Sequence, residues 1–188
     1  PRVRRTVEEA TQIHLHKPKA QGAWSLGVLL VRLHPSPDYN LSMPIPFDLP
    51  ALHLPGDYAL RNPQPRRAGD RAITLSELYF TAEPYLEKPA RAFGYFARPD
   101  HLFEPALPAM LLIHGGGGTA EAQWAIDWAA RGYAALAIDL YGQGPNRQKL
   151  PDGGPDWSNN FASFRLDHGL HNTWIHHAIA NCLRALSL

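Results

Sequence analysis

The 188-residue sequence has only one cysteine, Cys182, and no long hydrophobic run. A single thiol cannot form a disulfide within the chain, so a disulfide-rich scaffold is excluded and the cellular compartment stays open. The apolar stretch at 26–31 is far too short to cross a bilayer, and no small-residue cleavage site follows it. We therefore predict neither a membrane span nor a signal peptide.

The sequence also has little excess charge, with a formal net charge of +1. This balance gives no reason to expect nucleic acid or acidic lipid as a partner. Hydrophobic residues make up 45% of the chain, which is typical of a globular protein and excludes a disordered one. The length is sufficient for one domain with a sizeable core.

Proline is abundant, and most of the 18 prolines lie in the first hundred residues. The segment 43–50 contains three prolines, which excludes a regular helix or a central strand there. We therefore predict that residues 1–70 form a Pro-rich N-terminal extension or arm. Residues 71–188 form the second unit, which carries all the periodic patterns.

Strand-like patterns begin that second unit. Ile73–Thr81 and Ala90–Ala97 are rich in β-branched and aromatic residues, and the prolines between them indicate a loop. These two segments predict an antiparallel hairpin. Next, Ala109–His114 is a short apolar run of the kind that is buried in a parallel sheet.

A strand–helix–strand unit is predicted after that run. The turn 115–118 precedes a helix that Thr119 can cap and that Gly132 ends. Tyr133–Ile138 is the next buried strand, and such a unit implies a parallel pair with a right-handed crossover. The segment 139–171 follows as a long, polar loop of the kind that is usually functional or mobile. The last predicted element is a helix with an apolar stripe formed by Trp174, Ile175, Ala178, Ile179, Cys182, Leu183 and Leu186.

Four successive glycines, Gly115–Gly118, separate the buried strand from the helix. Their amides are not shielded by side chains, and next to a helix N-terminus they can bind an anion. One candidate anion is a dinucleotide phosphate, because Gly115, Gly117 and Ala120 satisfy G-x-G-x-x-G/A and Asp139 stands where a ribose-binding acid would. The preceding strand pair, His114 and the glycine loop after Asp139 argue against this interpretation.

The other candidate anion is the oxyanion of an acyl-transfer intermediate. Amide donors aimed at that oxygen lower the barrier by about 3–4 kcal/mol. An HGGG-type loop after a buried strand supplies one such donor in α/β-hydrolases, and the segment 114–117 occupies that place.

Four segments carry a resemblance to a known family: FGYFARP (93–99), LPAMLLIHGGGGTA (107–120), WAARGYAALAIDLYGQGP (128–145) and HNTWIHHAIANCLRAL (171–186). From about residue 92 onwards the chain resembles the α/β-hydrolase superfamily, in the branch of acetyl xylan esterases, dienelactone hydrolases and prolyl-oligopeptidase-like esterases. The resemblance implies an α/β fold for residues 71–188, with an antiparallel hairpin followed by a parallel βαβ unit. It covers only the N-terminal half of such a sheet, and residues 1–70 do not share it.

The resemblance also implies a Ser–His–Asp/Glu triad with the serine in a G-x-S-x-G elbow. This sequence contains no G-x-S-x-G, and the expected elbow strand would follow Leu188. We therefore assign no triad residue and expect the chain alone to be inactive. Without the elbow strand, one edge of the strand at 110–113 stays unpaired, so we expect the chain alone to be marginally stable.

Only the oxyanion loop carries over from the family. Gly116 and Gly117 are the best candidates for the amide donors, and His114, Gly115 and Gly118 are expected to support the loop. A tight turn without a ligand is the alternative for the glycines, and a hydrogen-bonded histidine at a strand end is the alternative for His114. Three further residues are candidates for the border of a substrate pocket, or for structural turns and packing: Tyr141, Gln143 and Trp157.

No cofactor or metal is expected. His168, His171, His176 and His177 lack a common ligand spacing, and no acidic partner is fixed near them. Asp139 is expected to hold the loop 141–144, and Cys182 to be a small core residue.

The sequence thus predicts the N-terminal part of a serine hydrolase that cleaves carboxylic esters, with small esters and acetylated carbohydrates as candidate substrates. A peptidase of the same fold stays open. So do an NAD(P)-binding oxidoreductase fragment and a non-catalytic scaffold.

Overall fold

The computed structural model describes residues 46–54, 56–100, 107–156 and 166–188. The first 45 residues of the predicted arm and the pocket candidate Trp157 lie outside this part of the chain. The described part begins with one helical turn, α1 (Leu49–Leu52), which the proline content had not predicted. Pro50 is tolerated there because it stands in the first turn of the helix. The side chain of the N-cap, Asp48, accepts a hydrogen bond from the Ala51 amide.

Five strands form one sheet in the described ranges: β1 (Tyr58–Ala68), β2 (Arg71–Tyr85), β3 (Lys88–Pro99), β4 (Ala109–Ile113) and β5 (Ala134–Ile138). Their spatial order is β1-β2-β3-β5-β4. The first three strands are antiparallel, β3 pairs with β5 antiparallel, and β4 pairs with β5 parallel. The predicted fold class, a hairpin followed by a parallel βαβ unit, is confirmed.

The edge strand β1 was not predicted, because its range lies in the Pro-rich segment. It contains Pro63 and Pro65, and its register to β2 shifts between Arg61 and Gln64. A proline cannot donate to a ladder, but an edge strand with a bulge tolerates it. The sheet therefore extends into residues that the sequence analysis assigned to the arm.

The hairpin turn between β2 and β3 is tighter than predicted. Both strands continue through the prolines Pro84 and Pro89, and only Leu86 and Glu87 lie between them. Both turn residues have positive φ, 49° and 63°, as a two-residue type I′ hairpin requires. The Leu86 amide also donates to Asn172 Oδ1 over 2.8 Å, which fixes the turn to the segment before the last helix.

The parallel unit contains helix α2 (Ala122–Ala129) between β4 and β5. The predicted cap at Thr119 is wrong: the N-cap is Glu121, and its side chain makes no capping hydrogen bond. The glycine turn closes at Gly118, and three further residues are needed to reach the start of α2. Helix α2 ends at Ala129, shortly before Gly132, the predicted end. The Gly132 amide donates to Ala129 O, and Gly132 has a φ of 98°.

The last helix is α3 (Trp174–Ala185), and the side chain of its N-cap, Thr173, accepts a hydrogen bond from the His176 amide. The buried face of α3 matches the predicted apolar stripe only in part: Ala178 is buried, and Trp174 and Cys182 pack against the core. Ile179 is 41% exposed and Leu186 37% exposed, whereas His176, His177 and Asn181 are buried. The helix is rotated because tertiary partners hold the histidines: His176 stacks on Phe47, and His177 meets the edge of Tyr85.

Helices cover both faces of the sheet. On one face, α2 packs over a cluster that includes Ile73, Ala97, Met110, Leu112 and Ala137. On the other face, α3 packs over Leu78, Phe80, Ala92, Leu136 and Ile138. Among the described residues β4 pairs only with β5, so the second edge of β4 has no strand beside it. No described helix is long and apolar enough to be a candidate membrane span.

Candidate functional site

The four glycines form a tight turn at the end of β4. The Gly118 amide donates to Gly115 O over 3.0 Å, and Gly117 has a φ of 75°. Gly117 is the only one of the four glycines with positive φ, which is the pattern of a type II turn with Gly116 and Gly117 at its centre. Glycine is required at the second central position, because other residues are strained there.

The outer side of this turn is open. Gly115, Gly116 and Gly117 are exposed, and a Cβ added to any of them would meet no heavy atom within 4 Å. The Gly116 amide has no hydrogen-bond partner among the described residues. Gly118 is different, because a Cβ there would lie 2.9 Å from His114 Cβ. The turn thus presents bare backbone outwards and packs tightly only at its last residue.

His114 connects the turn to the end of the neighbouring strand. Its Nε2 accepts a hydrogen bond from the Leu140 amide over 3.0 Å, so the proton of the neutral ring is on Nδ1. Nδ1 lies 2.9 Å from Gly115 O and donates to it. The ring is buried, and both nitrogens have partners. His114 is therefore a hydrogen-bonded histidine at a strand end, and the same hydrogen bonds hold the first residue of the turn.

Tyr141 contacts the turn through its hydroxyl group. Its Oη accepts a hydrogen bond from the Gly117 amide over 2.9 Å and lies 3.5 Å from Gly115 O. The residue is 3% exposed, and its ring meets His114 at 5.0 Å and Trp174 at 5.7 Å between centroids. Burial raises the pKa of the phenol above its ordinary value. The hydroxyl is therefore protonated at neutral pH, and one of the two predicted amide donors is already in contact with it.

Asp139 organises the loop that carries Tyr141. Its Oδ2 accepts hydrogen bonds from the amides of Tyr141 and Gln143, over 2.8 and 2.7 Å. The carboxyl is 2% exposed, and burial raises its pKa although these two hydrogen bonds oppose the rise. Asp139 thus holds the loop, as expected. It is too deeply buried to reach the ribose of a bound dinucleotide, which argues further against the dinucleotide interpretation.

Two contacts that the sequence analysis missed hold the rest of this loop. The Lys149 ammonium donates to the carbonyls of Tyr141 and Gly154, and burial lowers its pKa. Gly142 and Gly153 approach so closely that a Cβ on Gly153 would clash with Gly142 O. A lysine in a polar loop gives no sequence signal for such a role.

Trp174 links the last helix to the same region. Its indole N–H donates to Leu140 O over 2.7 Å, and its ring lies beside Tyr141. The helical hydrophobicity pattern predicts Trp174 only as part of an apolar stripe, because the indole N–H does not affect such a pattern. The structure thus brings His114, Tyr141 and Trp174 together around the glycine turn. Gln143 lies in the adjacent loop, and its buried Oε1 has no hydrogen-bond partner among the described residues.

The histidines near the last helix form a separate cluster. The rings of His171 and His176 are 6.2 Å apart, and those of His176 and His177 are 5.9 Å apart. Burial lowers the pKa of His177 to about 4 and also lowers the pKa of His176. Within the described ranges, no group of three or more His, Cys, Asp or Glu residues could hold a metal ion. Burial raises the pKa of the Cys182 thiol to about 11.

Comparison with known proteins gives a match to solved structures. No protein-family model and no curated protein matches the sequence. An acetyl xylan esterase from Paenibacillus sp. R4 matches with a TM-score of 0.51 and 24% identity, over 74% of this chain and 43% of that one. The two chains share their fold. The described part of the protein therefore has a fold similar to that of this esterase, and the chain spans less than half of the esterase's length.

Proposed function

We propose that this chain is part of a serine hydrolase that cleaves carboxylic esters, and that its glycine turn binds the oxyanion. The observation that carries the proposal is the outward-facing turn: Gly116 is exposed, its amide has no partner among the described residues, and open space lies in front of its Cα. Such an amide is available to a developing negative charge, and it is held in place before the reaction starts. The esterase-like fold supports the same conclusion.

The two candidate donors differ in this structure. The Gly116 amide is available, whereas the Gly117 amide donates to Tyr141 Oη and would have to leave it to bind substrate. We therefore assign the donor role to Gly116, with Gly117 as a donor only after that contact breaks. In the mechanism, a serine attacks the ester carbonyl, the Gly116 amide stabilises the oxyanion, and water then hydrolyses the acyl-enzyme.

The chain does not supply the nucleophile by any recognised motif, because it contains no G-x-S-x-G. We propose that the triad lies outside these 188 residues, which span 43% of the length of that esterase. A further strand there would pair with the edge of β4 that has no neighbouring strand among the described residues. Small acetyl esters, including acetylated carbohydrates, are the proposed substrates because of the likeness to an acetyl xylan esterase.

Two measurements on the full-length protein test this function. It should hydrolyse p-nitrophenyl acetate, and a fluorophosphonate should label it covalently and stop the hydrolysis. Binding of a nicotinamide cofactor without labelling would contradict the proposal and favour the oxidoreductase. Neither labelling nor cofactor binding would favour a non-catalytic scaffold.

A further inference from the structure

We infer that Tyr141 is a positioning residue for the oxyanion-binding turn, an inference that rests on the proposed function. The phenol Oη accepts the Gly117 amide over 2.9 Å and lies 3.5 Å from Gly115 O. A single side chain thus spans the first and third residues of the turn. Gly116, the proposed donor, lies between these two points.

The phenol is itself firmly placed. Tyr141 is 3% exposed, its ring lies between those of His114 and Trp174, and its own amide donates to the buried Asp139 carboxylate. A hydroxyl held in this way can fix the peptide that it contacts. The glycines need such support, because four residues without side chains have the largest backbone freedom of any sequence.

The hydrogen bond from the Gly117 amide to Tyr141 Oη determines how the turn is oriented. Because the Gly117 amide points at Tyr141, the peptide between Gly116 and Gly117 has a defined orientation. That orientation is part of a type II turn, in which a flip of this same peptide produces a different turn type. Tyr141 therefore holds the turn in one of its two arrangements. The Gly116 amide belongs to the preceding peptide, whose carbonyl, Gly115 O, lies 3.5 Å from the same hydroxyl. Without the hydroxyl we expect both peptides to be less ordered, so that the turn still binds substrate but presents the Gly116 amide to the oxyanion for only part of the time.

The experiment compares Tyr141→Phe with Tyr133→Phe as the control. The first substitution keeps the ring packing and removes only the hydroxyl. Tyr133 directly precedes β5, away from the glycine turn in sequence, and its ring packs on Trp128. In protein labelled with 15N-glycine, Tyr141→Phe should accelerate hydrogen exchange of the Gly117 amide about tenfold. In the full-length protein, kcat for p-nitrophenyl acetate should fall by about tenfold to a hundredfold with KM nearly unchanged. Tyr133→Phe should change neither quantity.

The outcomes separate this inference from the proposed function. Wild-type kcat in Tyr141→Phe would overturn the inference while leaving the hydrolase in place. A higher kcat would also overturn it, because Tyr141 would then be withholding the Gly117 amide from the substrate. Absence of hydrolysis in the wild type would defeat the proposed function, and the exchange rate alone would then decide whether Tyr141 orders the turn. If Tyr141→Phe fails to fold, the wild type still decides: the Gly117 amide must exchange more slowly than that of Gly116, and equal rates would overturn the inference.

Discussion

The Leu140 amide donates a hydrogen bond to His114 Nε2 over 3.0 Å, and this bond joins the ends of the two parallel strands. The opposite ring nitrogen donates to Gly115 O, so one imidazole determines where the glycine turn lies relative to the loop after β5. The adjacent Asp139 holds that loop through two further amides. The geometry of the candidate site therefore depends on two buried polar side chains.

Replacing His114 by alanine should destabilise the protein. The change leaves the Leu140 amide without its partner, and a buried amide that loses its acceptor costs about 1–3 kcal/mol. Urea unfolding followed by tryptophan fluorescence measures the loss. His168→Ala is the matched control, because His168 is exposed and its side chain makes no such contact. Equal stability of the two variants would show that the imidazole bridge contributes nothing to the fold.

Acidification should destabilise the folded chain through His177. The folded-state pKa is about 4 and the ordinary value is 6.5, so the unfolded chain binds the proton first as the pH falls. The contribution of neutral His177 to the free energy of unfolding is therefore fully present above pH 6.5. It decreases by about 3 kcal/mol as the pH falls towards 4. The free energy of unfolding, measured by urea titration at several pH values, should show this slope.

The His177→Leu variant is the control for that slope. Leucine removes the titrating ring, so the decrease between pH 6.5 and 4 should become clearly smaller, with a remainder from His176, whose pKa burial also lowers. An unchanged slope in His177→Leu would contradict the assignment to His177.

Glycine at position 94 should be essential for the contact between β3 and β5. A Cβ at Gly94 would lie 2.8 Å from Ala137 O and 2.8 Å from Leu136 Cδ1, and crowding of this kind costs about 1–3 kcal/mol. Gly94→Ala should therefore lower the melting temperature, whereas Gly115→Ala, with open space around its Cβ, should leave it nearly unchanged. The opposite order of melting temperatures would mean that the two strands are not paired as described.

Much of the fold could be predicted from the sequence, because local patterns decide it. The strands β2, β3 and β4 could be predicted from local composition alone, as runs of β-branched, aromatic or apolar residues. The edge strand β1 was missed because its prolines exclude a central strand but not a bulged edge. The buried face of α3 was misjudged because Phe47 and Tyr85, far away in sequence, determine which histidines are buried.

The candidate site was predicted in position but not in detail. Bare amides after a buried strand follow from the four glycines alone. The hydrogen-bond partner of each amide does not follow from the sequence, because Tyr141 and Gly117 are 24 residues apart in the chain. Trp157 lies outside the described residues, so its place at a pocket border stays a prediction, as does that of Gln143.

The central claim is that the Gly116 amide stabilises the oxyanion, and Gly116→Pro tests it most directly. Proline suits the first central position of a type II turn, so the turn should survive while its amide donor disappears. Gly116→Ala is the control, because it adds a side chain in open space but keeps the amide. In the full-length protein, kcat for p-nitrophenyl acetate should fall by about 10²–10³-fold in Gly116→Pro and stay near the wild-type value in Gly116→Ala. Equal kcat values in the two folded variants would contradict the account.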